Sequence, residues 1–255
     1  MTTLTDPVAG SPHWVRLFRA PNPGPMTLDG TNTWVIPATD DLGALVVDPG
    51  PLLIDHLDAV ASATKVRGVL LTHHHPDHAE GLATFTELTG AQVVNPRPGT
   101  RLRHGDLTIS TVVTPGHTAD SVSFHVDGPQ PAVLTGDTIL GRGSTAVLWP
   151  DGNLGDYLAS LERLRALGPI PVLPGHGPVL PDCARAAAGY LAHRHERLDQ
   201  VRRALATGAT TPMEVVEVVY ADVDRAVWPA AEATVRAQLE YLTEHDGEHV
   251  DPAQR

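Results

Sequence analysis

Apolar residues fall into short runs separated by Gly, Pro and Asp. Runs rich in Val, Ile, Leu and Thr at Thr33 to Ile36, Ala44 to Val47, Gly68 to Leu71, Leu107 to Val113, Val122 to Val126, Ala132 to Leu134 and Pro171 to Leu173 predict strands. Helical spacing lies between them. Asp55 to Ala63 is one helix, and Pro76 to Leu88 a second with its proline in the first turn. Asp156 to Leu167 is a third, carrying Leu158, Leu161 and Leu164 on one face and stopped by Gly168-Pro169. Alternating strands and helices predict an α/β architecture of layered sheets with outer helices.

After Pro181 the pattern becomes all-helical. Ala184 to Ala206 reads as one long helix ending before Gly208. Thr211-Pro212-Met213-Glu214 has the form of a capping box with proline at the first helical position, and a last helix spans Ala230 to Thr243. No hairpin pattern follows Gly247. The chain therefore divides into a catalytic region, 1–181, and a helical C-terminal accessory region, 182–255.

Composition narrows the picture. Of 255 residues, 18 are basic and 30 acidic, giving a net charge of −12, the opposite of the balance that holds long nucleic acid by charge alone. Aromatics make up 4%, so the core must be built mainly from Val, Leu, Ile and Ala. Cys183 is the lone cysteine, which rules out an intramolecular disulfide. The N-terminus lacks the basic start and apolar run of a signal peptide, and no apolar stretch reaches the ~18–20 residues of a membrane span. The expected location is the cytoplasm, with no membrane partner.

The chemistry concentrates in Leu70-Leu71-Thr72-His73-His74-His75-Pro76-Asp77-His78. An isolated His-x-His is more often a solvated turn. Here three imidazoles and a carboxylate follow a buried strand and lead into a helix. His73 and His75, on alternate positions, point one way. Asp77 and His78 approach from the helix, and His74 should point away. Imidazole with carboxylate suits zinc and similar divalent ions. Three further strand ends carry Gly-containing turns: Pro115-Gly116-His117-Thr118, Thr135-Gly136-Asp137-Thr138 and Pro174-Gly175-His176-Gly177. Each turn alone is weak; the ordered series is specific. His13, His56, His104, His125, His193, His195, His245 and His249 lie outside it and read as surface or packing residues. Thr72, Thr118 and Thr138 could orient the ligands or be ordinary turn residues.

With those residues the sequence resembles the metallo-β-lactamase superfamily over roughly residues 14–180. The resemblance implies an αββα sandwich with two divalent metal ions, zinc first among them. By the family pattern His73, His75 and His117 hold one metal; Asp77, His78 and His176 hold the other; Asp137 bridges them beside a hydroxide. Asp77 would also act as the catalytic group that orients the hydroxide or takes its proton. The segment Asn22-Pro23-Gly24-Pro25-Met26-Thr27-Leu28-Asp29-Gly30-Thr31-Asn32-Thr33-Trp34, with His193-Arg194 and Glu196-Arg197, is similar to the branch of the mitochondrial β-lactamase-like endoribonuclease. In that branch the C-terminal helices form a winged-helix-like appendage. The commonest zinc β-lactamases place a cysteine where this chain has Asp137, so antibiotic hydrolysis is not the expected role.

The expected activity is hydrolysis of an ester, thioester or phosphodiester by the metal-bridging hydroxide, on a small molecule. The alternatives are endoribonuclease action on single-stranded RNA, with Arg97, Arg101, Arg103, Arg142, Arg194 and Arg197 as phosphate contacts, and a non-hydrolytic metal-binding scaffold or redox partner. A homodimer is the expected assembly, and no substrate-binding residue is assigned.

Overall fold

The computed structural model describes residues 2–5, 8–38, 42–222 and 224–246. Among the described residues eleven strands form two sheets. The first contains β1 (Thr3–Thr5), β2 (Arg16–Arg19), β3 (Asn32–Ile36), β4 (Ala44–Val47), β5 (Val66–Leu70) and β6 (Gln92–Val93), paired in chain order. The second contains β7 (Leu102–His104), β8 (Leu107–Val113), β9 (Val122–Asp127), β10 (Ala132–Gly136) and β11 (Val172–Pro174), likewise in order. Neighbouring strands are antiparallel except β4/β5, β5/β6 and β10/β11.

Strand alternation distributes side chains among three apolar layers. Trp34, Ile36, Leu45 and Val47 point between the sheets and meet Ile109, Phe124, Leu134 and Leu173 from the other side. The intervening Val35, Ala44 and Val46 pack outward against Leu57 and Val60 of α1 (Ile54–Ala63) and Phe85 of α3 (Leu82–Thr89). On the second sheet Val133 and Val172 face outward onto Leu158 and Leu161 of α4 (Leu154–Arg165). The result is the helix–sheet–sheet–helix order the sequence predicts. It also explains why the central strands read as unbroken apolar runs: both faces are covered.

The long helix α5 (Cys183–Ala206) packs along α4, and α6 (Pro212–Val219) and α7 (Trp228–Asp246) close over both. Leu161, Val201, Val216, Val235 and Leu242 share one apolar cluster, so the C-terminal helices rest on the same core as the second sheet. The Thr211–Glu214 capping box is present, with both reciprocal hydrogen bonds formed. The lack of a hairpin after Gly247, and His249, fall outside the described residues.

One expected element differs. Pro76 to Leu88 is not one helix but α2 (Pro76–Ala79) and α3, broken at Glu80 and Gly81. A Cβ at Gly81 would lie 2.8 Å from the Gly50 carbonyl oxygen and 3.0 Å from that of Pro51. The chain must pass close to that turn, which ends the first helix after one turn. Strands β1, β2, β6 and β7 went unread because they are at most four residues long and mix polar with apolar positions.

Candidate metal centre

The parallel pairs place the C-terminal ends of β4 and β5, and of β10 and β11, side by side. The two sheets are joined at this edge: Thr31 forms a β-bridge with His176, and the Asn32 N–H donates to the Gly175 carbonyl (2.8 Å). The C-terminal ends of β4, β5, β8, β10 and β11 therefore deliver their polar turns to one place, as the loops of a rigid scaffold do.

All seven expected ligands meet there. His73 Nε2 lies 3.2 Å from His75 Nδ1, which lies 3.0 Å from His117 Nε2. His78 Nε2 and His176 Nε2 are 3.3 Å apart, and Asp77 Oδ2 is 3.3 and 3.0 Å from them. Asp137 stands between the groups, with Oδ1 3.4 Å from His78 Nε2 and Oδ2 3.3 Å from His176 Nε2 and 3.8 Å from His117 Nε2.

The outer nitrogens fix which inner nitrogen carries a lone pair. His117 Nδ1 donates to the Ala146 carbonyl (2.7 Å), and His176 Nδ1 to the Gly30 carbonyl (3.2 Å). His78 Nδ1 donates to Asp48 Oδ2 (2.9 Å). Thr72 Oγ1 donates to Asp48 Oδ2 (2.7 Å), so it accepts from His73 Nδ1 (3.0 Å). A neutral ring at any of these four places then has Nε2 as its acceptor facing the centre, the tautomer a metal ligand requires.

Burial alone would raise the Asp137 carboxyl pKa, but His78 and His176 outweigh it and hold the group well below the usual carboxylate range. Asp77 shows the same balance, with hydrogen bonds from His176 and His78 prevailing over burial. Burial, with His78 next, keeps His73 neutral. His176 is raised to about 9 because Asp137 and Asp77 overcome the effect of burial. The carboxylates thus demand positive charge, which a proton on imidazole or a cation could supply. Asp137 Oδ1 is buried with no hydrogen-bond partner among the described residues. A Cβ at Gly175 would sit 2.5 Å from that oxygen and 2.7 Å from His78 Cε1, so glycine keeps the space beside it open. Convergent lone pairs, ionised carboxylates and an orphaned buried oxygen fit a pair of divalent cations.

The N-terminal signature segment acquires a physical role. The Asn22 amide exchanges two hydrogen bonds with Thr31, each 2.9 Å, and Thr31 Oγ1 donates to Asp77 Oδ2 (3.3 Å). Asn32 Nδ2 donates to the Pro174 and Gly177 carbonyls, and Trp34 Nε1 to Pro174, clamping the turn that carries His176.

His74 is exposed and pairs with Asp120 (2.8 Å) instead of facing the centre. Of the three threonines only Thr72 touches a ligand ring. Thr118 bonds Asp120 and Ser121, and Thr138 reaches Thr114. Asp48 was missed by sequence reading, although Val47-Asp48-Pro49-Gly50 is a strand-end turn like the others. The Gly30 and Ala146 carbonyls carry no residue-type signal at all.

The centre opens into a recess of about 200 Å³. Besides His75, Asp77, His117 and Asp137, its walls are Met26, Ala146, Leu148, Trp149, Pro150 and Asp151. None of the six arginines considered for phosphate lines it. Arg194 is buried, bonded to the Thr145 carbonyl and stacked on Tyr157. Arg142 is paired with Asp29, and Arg197 engages Gln200 and Tyr220.

A four-layer sandwich with this cluster at the sheet edge defines a hydrolase of the metallo-β-lactamase fold. Residues 26–107 and 93–176 match the Metallo-beta-lactamase superfamily model, and residues 211–246 match the Beta-lactamase associated winged helix domain. The chain belongs to the metallo-β-lactamase superfamily. It is 28% identical to a Beta-lactamase-like protein 2 homolog of Caenorhabditis elegans, over 94% of this chain and 88% of that one. An atrochrysone carboxyl ACP thioesterase of Aspergillus fumigatus is 31% identical, over 82% of this chain and 74% of the other. A Beta-lactamase domain protein from Burkholderia ambifaria has the same fold, with a TM-score of 0.78 at 23% identity, covering 95% and 88% of the two chains. No helix among the described residues is long and apolar enough to cross a membrane.

Proposed function

We propose that the chain hydrolyses acyl thioesters or esters at a pair of zinc ions, one held by His73, His75 and His117, the other by Asp77, His78 and His176, with Asp137 shared. Two bound divalent cations would supply an ionised water at neutral pH and polarise the scissile carbonyl oxygen. Asp77 reaches the recess with its carboxylate oriented by Thr31, and it orients the attacking water. Leu148, Trp149 and Met26 exclude solvent from the bond being cut.

The observation that carries the choice of substrate is the wall of the recess. It has no Arg or Lys and it carries Asp151 beyond the ligand set. A phosphodiester would bring negative charge to a surface that offers a carboxylate, whereas a neutral acyl group meets apolar side chains. The thioesterase among the relatives supports the same choice. The protein loaded with zinc should be assayed in parallel on acyl-thioesters and on labelled single-stranded RNA. Thioester turnover with intact RNA is expected. RNA cleavage without turnover of any acyl substrate would overturn the reading.

The same proposal places the protein in the cytoplasm as a homodimer, with the catalytic region ending at residue 181 and the accessory region beginning at 182.

A further inference from the structure

The recess is bounded on one side by a segment that the C-terminal helices hold in place. The Trp149 N–H donates to the Ala233 carbonyl of α7 (3.2 Å). The Arg236 guanidinium, also from α7, lies 5.9 Å from the centre of the Trp149 ring and is itself anchored by Glu232 (2.7 Å). Further along, Asn153 N–H donates to the Gly116 carbonyl (3.0 Å), and Ala146 accepts the His117 Nδ1 proton. The wall is thus tied at one point to the metal centre and at another to α7.

Trp149 is 38% exposed and Met26 56% exposed, and both face the recess. An exposed indole with a cation close to its ring, on a backbone hydrogen-bonded to α7, is a platform, because less side-chain freedom remains to be lost when something stacks on it. Met26 offers a pliable thioether that adapts to the shape of what lies against it. With Leu148 and Pro150 completing the surface, the chemistry beside the scissile bond is apolar and suited to a flat group.

We propose that Trp149 and Met26 form the acyl-binding wall of the site, selecting thioesters with aromatic or extended apolar acyl groups over acetyl, and that α7 sets this selectivity by positioning Trp149. The proposal rests on the acyl-hydrolase reading and adds the acyl class and a specificity role for the C-terminal region. Arg236 is a positioning residue, acting through the indole.

The test uses the zinc-loaded full chain with two probe sets. One is a pair of hydrolysable thioesters of N-acetylcysteamine, naphthoyl and acetyl. The other is the matching non-hydrolysable thioethers, with binding read by calorimetry. In Trp149→Ala, KM for the naphthoyl thioester should rise about tenfold or more, well beyond any change seen with the acetyl thioester, while metal content stays unchanged. Trp149→Phe should recover most of the loss, and Arg236→Gln should shift KM the same way by a smaller factor. If thioesters are hydrolysed but Trp149→Ala leaves the naphthoyl-to-acetyl ratio unchanged, the wall proposal is overturned and the hydrolase reading survives. If the naphthyl thioether binds the native chain and not Trp149→Ala, yet no thioester is cleaved, the wall stands and the reading of the reaction falls.

Discussion

Asp48 Oδ2 lies 2.9 Å from His78 Nδ1 and also receives the Thr72 hydroxyl at 2.7 Å. One carboxylate therefore orients two of the metal-facing rings, His78 directly and His73 through Thr72. Asp48 sits at φ 52°, a left-handed conformation that Asn tolerates and Ala does not. Asp48→Asn separates charge from backbone strain: it should fold normally yet bind zinc about 10–100-fold more weakly. Chelator competition at fixed free zinc measures this. Native affinity in the variant would show that the carboxylate is not what holds the rings.

Gly116 is the hinge on which His117 depends. It has φ 128°, and a Cβ there would come within 2.3 Å of the Tyr157 backbone. The Tyr157 backbone belongs to α4 and cannot yield. Gly116→Ala should cost several kcal/mol of stability, about 2–4, combining strain and overlap. It should displace His117, so metal loss is expected first from the set that contains that ring. Thermal unfolding together with metal content reads both effects, and a variant with native stability would contradict the packing.

The ligands themselves were legible because each follows an apolar strand and sits in a turn rich in glycine, a pattern imposed by the fold. The residues that orient them were legible only in part. Asp48 carries the same turn signature and could have been found. Thr31 lies within the N-terminal signature segment, but nothing in the sequence sets it apart from its neighbours there, and the Gly30 and Ala146 carbonyls act through backbone that any residue supplies. The break at Gly81 was hidden for a similar reason: the nearby Gly50 and Pro51 carbonyls are a tertiary neighbour, invisible to helical periodicity. Arg194 read as a phosphate contact because charge is normally exposed, whereas here it is buried against Tyr157 and the Thr145 carbonyl.

Asp137 touches both ligand sets, and its removal separates a two-metal mechanism from a one-metal one. The three-histidine set resembles a complete zinc site, while the other set has a single carboxylate of its own. Asp137→Ala should keep the fold and roughly one metal per chain but lose on the order of a hundredfold or more in kcat. Metal content and turnover must be measured together at fixed free zinc. Near-normal turnover with one metal bound would exclude the shared-carboxylate mechanism.

His56 offers a pH test away from the ligands. It is fully buried, with Nε2 3.0 Å from Thr33 Oγ1, and Thr33 in turn donates to the Asp48 carbonyl (2.7 Å). Burial pulls its pKa down to about 4 from 6.5. The folded state therefore holds His56 neutral while the unfolded chain protonates it below pH 6.5. Its contribution to stability is complete above pH 6.5, is lost as pH falls from there towards 4, and changes no further below that. The amplitude is about 3 kcal/mol from the linkage relation. Glutamine can still donate to Thr33 Oγ1 but does not titrate, so His56→Gln should remove this part of the acid sensitivity. Acid also protonates the metal ligands in both proteins, which makes the quantity to follow the difference in unfolding free energy between variant and native chain at each pH. That difference should move in favour of the variant between pH 6.5 and 4. A difference that stays constant across this window would mean that His56 is not held neutral by the fold.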